Sequence, residues 1–410
     1  MTSTADRVPG NPRGWLLRLV IAFCFAQGAV SMARPAVSYR ALSLGADERA
    51  VGVIAGAYAL LPLFAAVPLG RRTDQGRCAP LLPLGVALIA VGCAAGGLAD
   101  DLVAMAAWSG VTGLGHLCFV IGAQSIVARQ SAPAEQDRNF GHFTIGASLG
   151  QLIGPMAAGW LITGDMARTT SLALVVSAGV AVVSTASLWR IERRAGRAAG
   201  RAAAPAKVPV HRILRTRGVP AGICVSLAVL SATDVLTAYL PVVGEHRGIA
   251  PATVGLLLSL RAAATIACRL VMTPMIRLLG RTALLVATCL LGGALCAAIA
   301  LPVPVWALAV VLALLGFCLG VGQPLSMTTV VRAAPADARS TALALRLTGN
   351  RLGQVATPAA AGLVAGVAGV AAPFVLLGVL LVTAGAWGAV PVPEAGRGVR
   401  EAAEETAART

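Results

Sequence analysis

Residues 149–159 read LGQLIGPMAAG, and residues 352–362 read LGQVATPAAAG. The two stretches lie 203 positions apart, and other matches keep nearly that spacing. Val51-Gly52 returns as Val254-Gly255 at the same offset, and Ser31 and Tyr39 return as Ser231 and Tyr239 at an offset of 200, with Arg34 facing Asp234 in that register. SAP at 131–133 parallels AAP at 333–335. An ordered series of matches at one offset indicates two copies of a single unit. Neither of the long matching stretches holds a charge, and both are rich in small residues, so each belongs inside a helix that packs closely against others.

Working outward, twelve apolar runs long enough to span a bilayer occur between residues 15 and 391. Twelve spans need roughly 240 apolar-rich positions. The chain supplies 57% hydrophobic residues in 410, with only 12% charged and a mean hydropathy of +0.80. This composition predicts an all-α polytopic membrane protein, its twelve transmembrane helices forming two pseudo-symmetric six-helix bundles. It argues against a secreted protein, a cytosolic enzyme and a nucleic-acid binder, despite a net charge of +16. Nine scattered cysteines form no CxxC pair, so neither a metal site nor a disulfide framework is indicated. No cofactor is expected. The first apolar run, from Trp15, reads as an uncleaved helix.

Arginine sets the expected orientation. With both termini cytoplasmic, the inner loops hold Arg71, Arg72, Arg77, Arg129, Arg138, Arg277, Arg281, Arg332 and Arg339, and the central loop adds nine basic residues from Arg190 to Arg217. The outer loops hold only Arg40, Arg49, Arg168 and Arg247, among several acids. Positive loops stay inside. The expected parts are a cytoplasmic segment 1–14, a six-helix bundle 15–189, a basic linker 190–217, a second bundle 218–391 and a tail 392–410.

Two motifs add detail. Gly70-Arg71-Arg72-Thr73-Asp74-Gln75-Gly76-Arg77 follows the second span, and Gly146, Gly150, Gly154, Pro155 and Gly159 lie along the fifth. The first resembles the GxxxD(R/K)xG(R/K) loop of the major facilitator superfamily, one residue short between the acid and the second glycine. The second resembles the GxxxGPxxGG signature carried mainly by that family's exporters. With the helix count, the central loop and the duplication, the resemblance covers essentially the whole chain, and it looks drug- or metabolite-exporter-like. It implies alternating access between two bundles around a central site. It also implies that Asp74 caps the start of the eleventh helix, near Ser340, so that Gly70, Asp74, Gly76 and Arg77 help close the inner side, and that Gly150, Gly154, Pro155 and Gly159 serve gating. Proton-coupled exporters of the family carry an arginine about four residues before a glycine on the fourth helix; here Ser109 precedes Gly113.

Polar residues within spans mark the candidate site, because a charge at mid-bilayer costs ~2.5–3.5 kcal/mol on insertion scales. Arg34, Asp234, Arg261, Arg346 and Arg351 are the candidates that carry charge, and Asp234 is the one acid among them. Gln27, Ser31, Arg34 and Ser38 share one face of the first helix, and Arg346, Asn350, Gln354 and Thr357 share one face of the eleventh. His116 titrates in the physiological range when unperturbed. Tyr58 and Arg261 are repeat-equivalent, as are Gln151 and Gln354. Gln323 completes the expected substrate-facing set. Repeat equivalence places Arg34 and Asp234 together in the outer third as an outer gate.

The sequence therefore points to a monomeric secondary transporter of the cytoplasmic membrane, not an enzyme. Four arginines against one acid suggest an anionic organic solute, with proton-coupled efflux expected from the fifth-helix signature and Asp234 or His116 as proton carrier. The alternative is uptake of an organic anion by symport, or less readily a non-transporting receptor on the same fold.

Overall fold

A computed structural model describes residues 14–74, 80–131, 135–188, 210–216, 218–334 and 339–389. Twelve long helices follow one another. The first six are α1 (Trp15–Ser43), α2 (Glu48–Asp74), α3 (Leu81–Gly97), α4 (Leu102–Gln130), α5 (Gln136–Leu161) and α6 (Met166–Val183). A short helix, α7 (Val210–Arg215), precedes α8 (Val219–His246), α9 (Pro251–Leu279), α10 (Arg281–Ile299), α11 (Val305–Ala333), α12 (Arg339–Ala368) and α13 (Ala372–Gly388). The seventh to twelfth spans are thus α8 to α13. Among the described residues there is no strand. Within the stretch expected as a linker, α7 is anchored by Ile213, fully buried in a small cluster with Val219, Val330, Ala334 and Ala342.

Eight of these helices are long and apolar enough to cross a membrane, and α3 and α13 are apolar but shorter. The remaining two, α5 and α12, are 26 and 30 residues long. They fall short in apolarity because they carry the repeated stretches, with their Gly, Gln and Pro. Each is sandwiched between a helix of its own bundle and one of the other, while Ile145, Ile153 and Trp160 of α5 and Leu352, Leu363 and Val367 of α12 stay exposed on the outer faces.

The sandwich is built on glycine. A Cβ at Gly150 or Gly154 would come within 2.6 or 2.7 Å of the backbone of Gly28 on α1, and at Gly353 within 2.5 Å of Leu227 on α8. Farther along the same two helices the contacts change partner. Pro155 and Gly159 of α5 meet Gly255 and Pro251 of α9, and Pro358 and Gly362 of α12 meet Gly52 of α2. The repeated stretch and the repeated Val-Gly pair are therefore the two sides of one contact, made twice.

The face carrying the turns at 44–47, 98–101, 162–165, 247–250 and 369–371 is called distal; the face where α1 begins and α13 ends is terminal. Acids expected in the distal loops cap helices. Asp47, Asp101 and Asp165 accept from the backbone N–H of Ala50, Ala104 and Ala167 at 2.8, 2.8 and 3.0 Å, satisfying donors that a helix start leaves open. Two arginines at the ends of α1 and α8 pin neighbouring helix termini. Arg40 donates to the carbonyls of Ala99 and Ala167, and Arg247 to that of Ile299, at 2.8 to 2.9 Å.

Glycine at the α1–α5 contact is a packing requirement. Gly154→Val is expected to lower the melting temperature of the detergent-purified protein, because overpacking costs ~1–3 kcal/mol. Gly179→Val, where a Cβ meets nothing within 4 Å, should leave it nearly unchanged.

Candidate functional site

Midway along the helices, side chains from both bundles join in one polar chain. It begins in the first bundle, where Gln27 donates to Ser31 at 3.1 Å. The Oε1 of Gln27 meets His116 Nε2 at 3.0 Å, and His116 Nδ1 meets the Tyr58 hydroxyl at 2.7 Å. A carbonyl oxygen can only accept, so in this arrangement Nε2 carries a proton, while the Tyr58 hydroxyl can donate to Nδ1 or accept from it. His116 thus has both ring nitrogens engaged. The Arg34 guanidinium lies 5.1 Å from the centroid of the Tyr58 ring, in cation–π range.

From Arg34 the chain crosses to the second bundle. Its Nη1 bonds Asp234 Oδ1 at 2.5 Å, with Asp234 5% and Arg34 21% exposed in the side chain. The approach expected from repeat equivalence is therefore present. Asp234 Oδ2 accepts from Gln354 Nε2 at 2.7 Å, and Gln354 Oε1 accepts from Arg351 at 2.9 Å. Thr357 donates to Ser231 at 3.0 Å beside this link. Gln27, Ser31 and Ser38 of α1, and Arg346, Asn350, Gln354 and Thr357 of α12, are all buried, as their common helix faces require.

Arg261 stands apart. It is only 8% exposed, its Nε is buried without a partner, and no hydrogen bond or ion pair to its guanidinium exists among the described residues. Arg34 and Asp234 are the groups whose charges it feels. A small cavity between α1, α2, α3 and α4 lies on the distal side of the network, where Arg34, Ser38, Tyr58, Ser109 and Thr112 are the polar groups in its wall. Ser109, where the family resemblance leads one to expect arginine, donates to the Ile54 carbonyl at 3.1 Å.

Four expected members belong elsewhere. Arg346 donates to Gln323 Oε1 at 2.6 Å, and Gln323 donates to the Ser226 carbonyl at 2.9 Å. These residues join α8, α11 and α12 nearer the terminal face, inside one bundle. Asn350 is buried there with its Oδ1 unpartnered. Gln151 has an exposed side chain and joins no part of the network, although its repeat mate Gln354 lies at the centre of it. Gly76 and Arg77, the side chain of Asp74 and that of Ser340 lie outside the described residues; Gly70 falls within α2.

The two bundles meet on the distal side. Besides the glycine contacts and the Arg34–Asp234 pair, the Tyr239 hydroxyl donates to the Glu48 carbonyl at 2.8 Å, His246 Nε2 lies 3.4 Å from Glu48 Oε1, and Arg49 donates to the Gly366 carbonyl at 3.3 Å. Among the described residues no hydrogen bond joins the bundles in their terminal halves. Among the described residues, the bonds that join the bundles beside the site are therefore distal. The sequence did not single out this seam: Tyr239 is visible there only as a repeat match, Glu48 only as a loop acid, and His246 not at all.

Two six-helix bundles, a polar network between them and closure on one side define a multi-pass membrane transporter. The family model of the Major Facilitator Superfamily matches residues 19–249 and again 222–409, and the chain belongs to that family. No curated protein matches it in sequence. Among solved structures it resembles the nucleoside transporter NupG, at 12% identity and a TM-score of 0.73, covering 91% of this chain and 98% of that one. A bacterial homologue of the human lysosomal transporter Spinster, inward-facing and occupied, aligns at 14% identity, covering 92% and 97%, with a TM-score of 0.72. A peptide transporter POT in complex with sulfate aligns at 15% identity, covering 93% and 94%, also with a TM-score of 0.72.

Removing one partner of the central pair strands a buried charge, which costs ~3–5 kcal/mol. Arg34→Gln and Asp234→Asn are each expected to lower the melting temperature by several degrees. The double variant should recover much of the loss, and a thermal double-mutant cycle in detergent reads the coupling.

Proposed function

We propose that this protein is a secondary active transporter of a small organic anion, working by alternating access in the cytoplasmic membrane with both termini inside. The terminal face is then cytoplasmic, and the distal seam closes the outer side. The observation that carries the reading is charge balance. Among the described residues Arg261 has no acceptor, Arg351 bonds only the neutral Gln354, and the one carboxylate within reach is already held by Arg34. Guanidinium groups left this way in a membrane belong to a wet cavity and offer a carboxylate the bidentate geometry it favours.

The same arrangement bears on coupling. A proton on Asp234 cancels the charge that holds Arg34 and frees that guanidinium for an anion. An anion drawing Arg34 away leaves Asp234 buried without its cation, which favours its protonation. Anion and proton therefore strengthen each other's binding, and by linkage the effect is reciprocal. Mutual strengthening suits movement of both in one direction, which is symport. Antiport needs competition, and a cationic solute competing for Asp234 would provide it. The case for export rests on the α5 signature alone, and packing against α1 and α9 accounts for its glycines without reference to direction. Symport of an organic anion with a proton is accordingly the better supported reading, with proton-coupled efflux as its rival. His116, engaged at both nitrogens, is a weaker carrier than Asp234.

Flux into proteoliposomes separates the two. Carboxylate uptake is expected to rise several-fold when acid is placed on the same side as the solute, and Asp234→Asn should abolish that dependence while retaining exchange at equal concentrations. Acceleration by acid on the opposite side, or inhibition by lipophilic cations with no effect of carboxylates, would establish the efflux reading instead.

A further inference from the structure

The charge at the centre of the site has a magnitude and a layout as well as a sign. Four charged groups meet there: Arg34, Asp234, Arg261 and Arg351. Arg34 and Asp234 neutralise each other. Arg261 and Arg351 remain, and the other acids of the described helices and turns sit at helix ends: Asp47, Glu48, Asp100, Asp101, Asp165 and Glu245 at the distal face, and Asp74, Glu135 and Asp137 at the terminal face. The two surplus guanidiniums do not share a spot. Arg261 lies 18 residues from the terminal end of α9 and Arg351 lies 12 residues from that end of α12. At 1.5 Å per residue their backbones differ in depth by about 9 Å. Asp234, 15 residues into α8, falls between them in depth, and both arginines feel its charge.

In an open state of the cycle water reaches the site and surplus charge is tolerated. Occlusion removes that water. Two guanidiniums without counter-charges would then be shut into a low-dielectric space, which opposes closure. A monoanion neutralises one of them. A phosphate monoester brings two charges but concentrates them at one point. Two carboxylates separated by a short chain match both the number and the spacing.

From this layout we infer that the transported solute is a dicarboxylate, one carboxylate seated on Arg261 and the other on Arg351, with the Arg34–Asp234 pair between them. The inference rests on the organic-anion reading and adds the number of charges and their separation. It also says where selectivity acts. A monoanion can still bind in the open cavity, but the step that suffers is closure, so discrimination shows in the rate of transport more than in affinity.

The test uses full-length protein in proteoliposomes and matched probes: succinate, adipate, suberate and phthalate, each beside its monomethyl ester and its dimethyl ester. At least one diacid should move tenfold or more faster than its monoester, while competition binding separates the two by less. Arg261→Gln, which removes one surplus charge, should reverse the order, so that the monoester moves as fast as the diacid or faster. Arg261→Lys, which keeps the charge, should retain the preference for the diacid. Equal transport of mono- and diacid by the unaltered protein overturns the inference, as does an equal loss of both in Arg261→Gln. Movement of monoesters together with diacids leaves the organic-anion reading standing, whereas movement of the dimethyl esters or of lipophilic cations alone defeats that reading itself. A second measurement needs no solute. If Arg261 awaits a counter-charge, Arg261→Gln should raise the melting temperature of the ligand-free protein by a few degrees. A fall of that size would assign the guanidinium to holding the fold and would also overturn the inference.

Discussion

A single carboxylate, Asp234, has to serve a membrane interior into which four guanidinium groups project. Everything at the centre of this molecule is arranged around that shortage. Arg34 takes one oxygen of the carboxylate and Gln354 the other, so Asp234 is saturated in the distally closed state. Arg346 is satisfied in part by neutral oxygens of Gln323, and Arg351 by Gln354. Arg261 is left over. An ionic bond that also ties the two bundles together makes the shape of the protein and the occupancy of its site interdependent: whatever competes for Arg34 or protonates Asp234 also loosens the distal seam.

The two halves share a backbone plan and divide the chemistry. In the first bundle the network consists of an imidazole, a phenol and an amide, each with hydrogen bonds made. In the second bundle it consists of charges. The repeat-equivalent pair Tyr58 and Arg261 states the division in two residues. A soft aromatic wall faces a set of fixed positive charges, and a bound solute would be positioned by the second half and enclosed by the first.

Much of this was legible in the sequence because duplication places like against like. Residues 149–159 and 352–362 match each other, as do 51–52 and 254–255, and these four segments form the two inter-bundle contacts. The pairing of Arg34 with Asp234 followed from the same register. Elsewhere the repeat misled, since Gln151 and Gln354 occupy equivalent positions yet one is exposed and the other lies at the heart of the network. A small rotation of a helix about its axis moves a side chain from cavity to surface, and sequence periodicity does not resolve it. Helical spacing likewise put Arg346 and Asn350 on the face of Gln354, which is correct. It could not show that Gln323, from another helix, would engage Arg346 in a separate cluster. The distal-loop acids read as charge balance because capping depends on backbone geometry at the first turn, which composition does not carry.

The bundles touch through glycine and main-chain oxygen: Gly52 against the Pro358 carbonyl, and its mate Gly255 against that of Pro155. A large side chain enters this seam at Tyr239, whose hydroxyl lies against Gly52 and Gly362, but the backbones themselves meet without a row of interlocking side chains. Parting them does not require a row of large side chains to change rotamer together, and rejoining them does not require those side chains to find their sockets again. Friction along the seam is accordingly low, and the resistance to opening is concentrated in a few discrete polar bonds. The protein can swing as two smooth bodies on a latch, and the speed of the swing is governed by the latch.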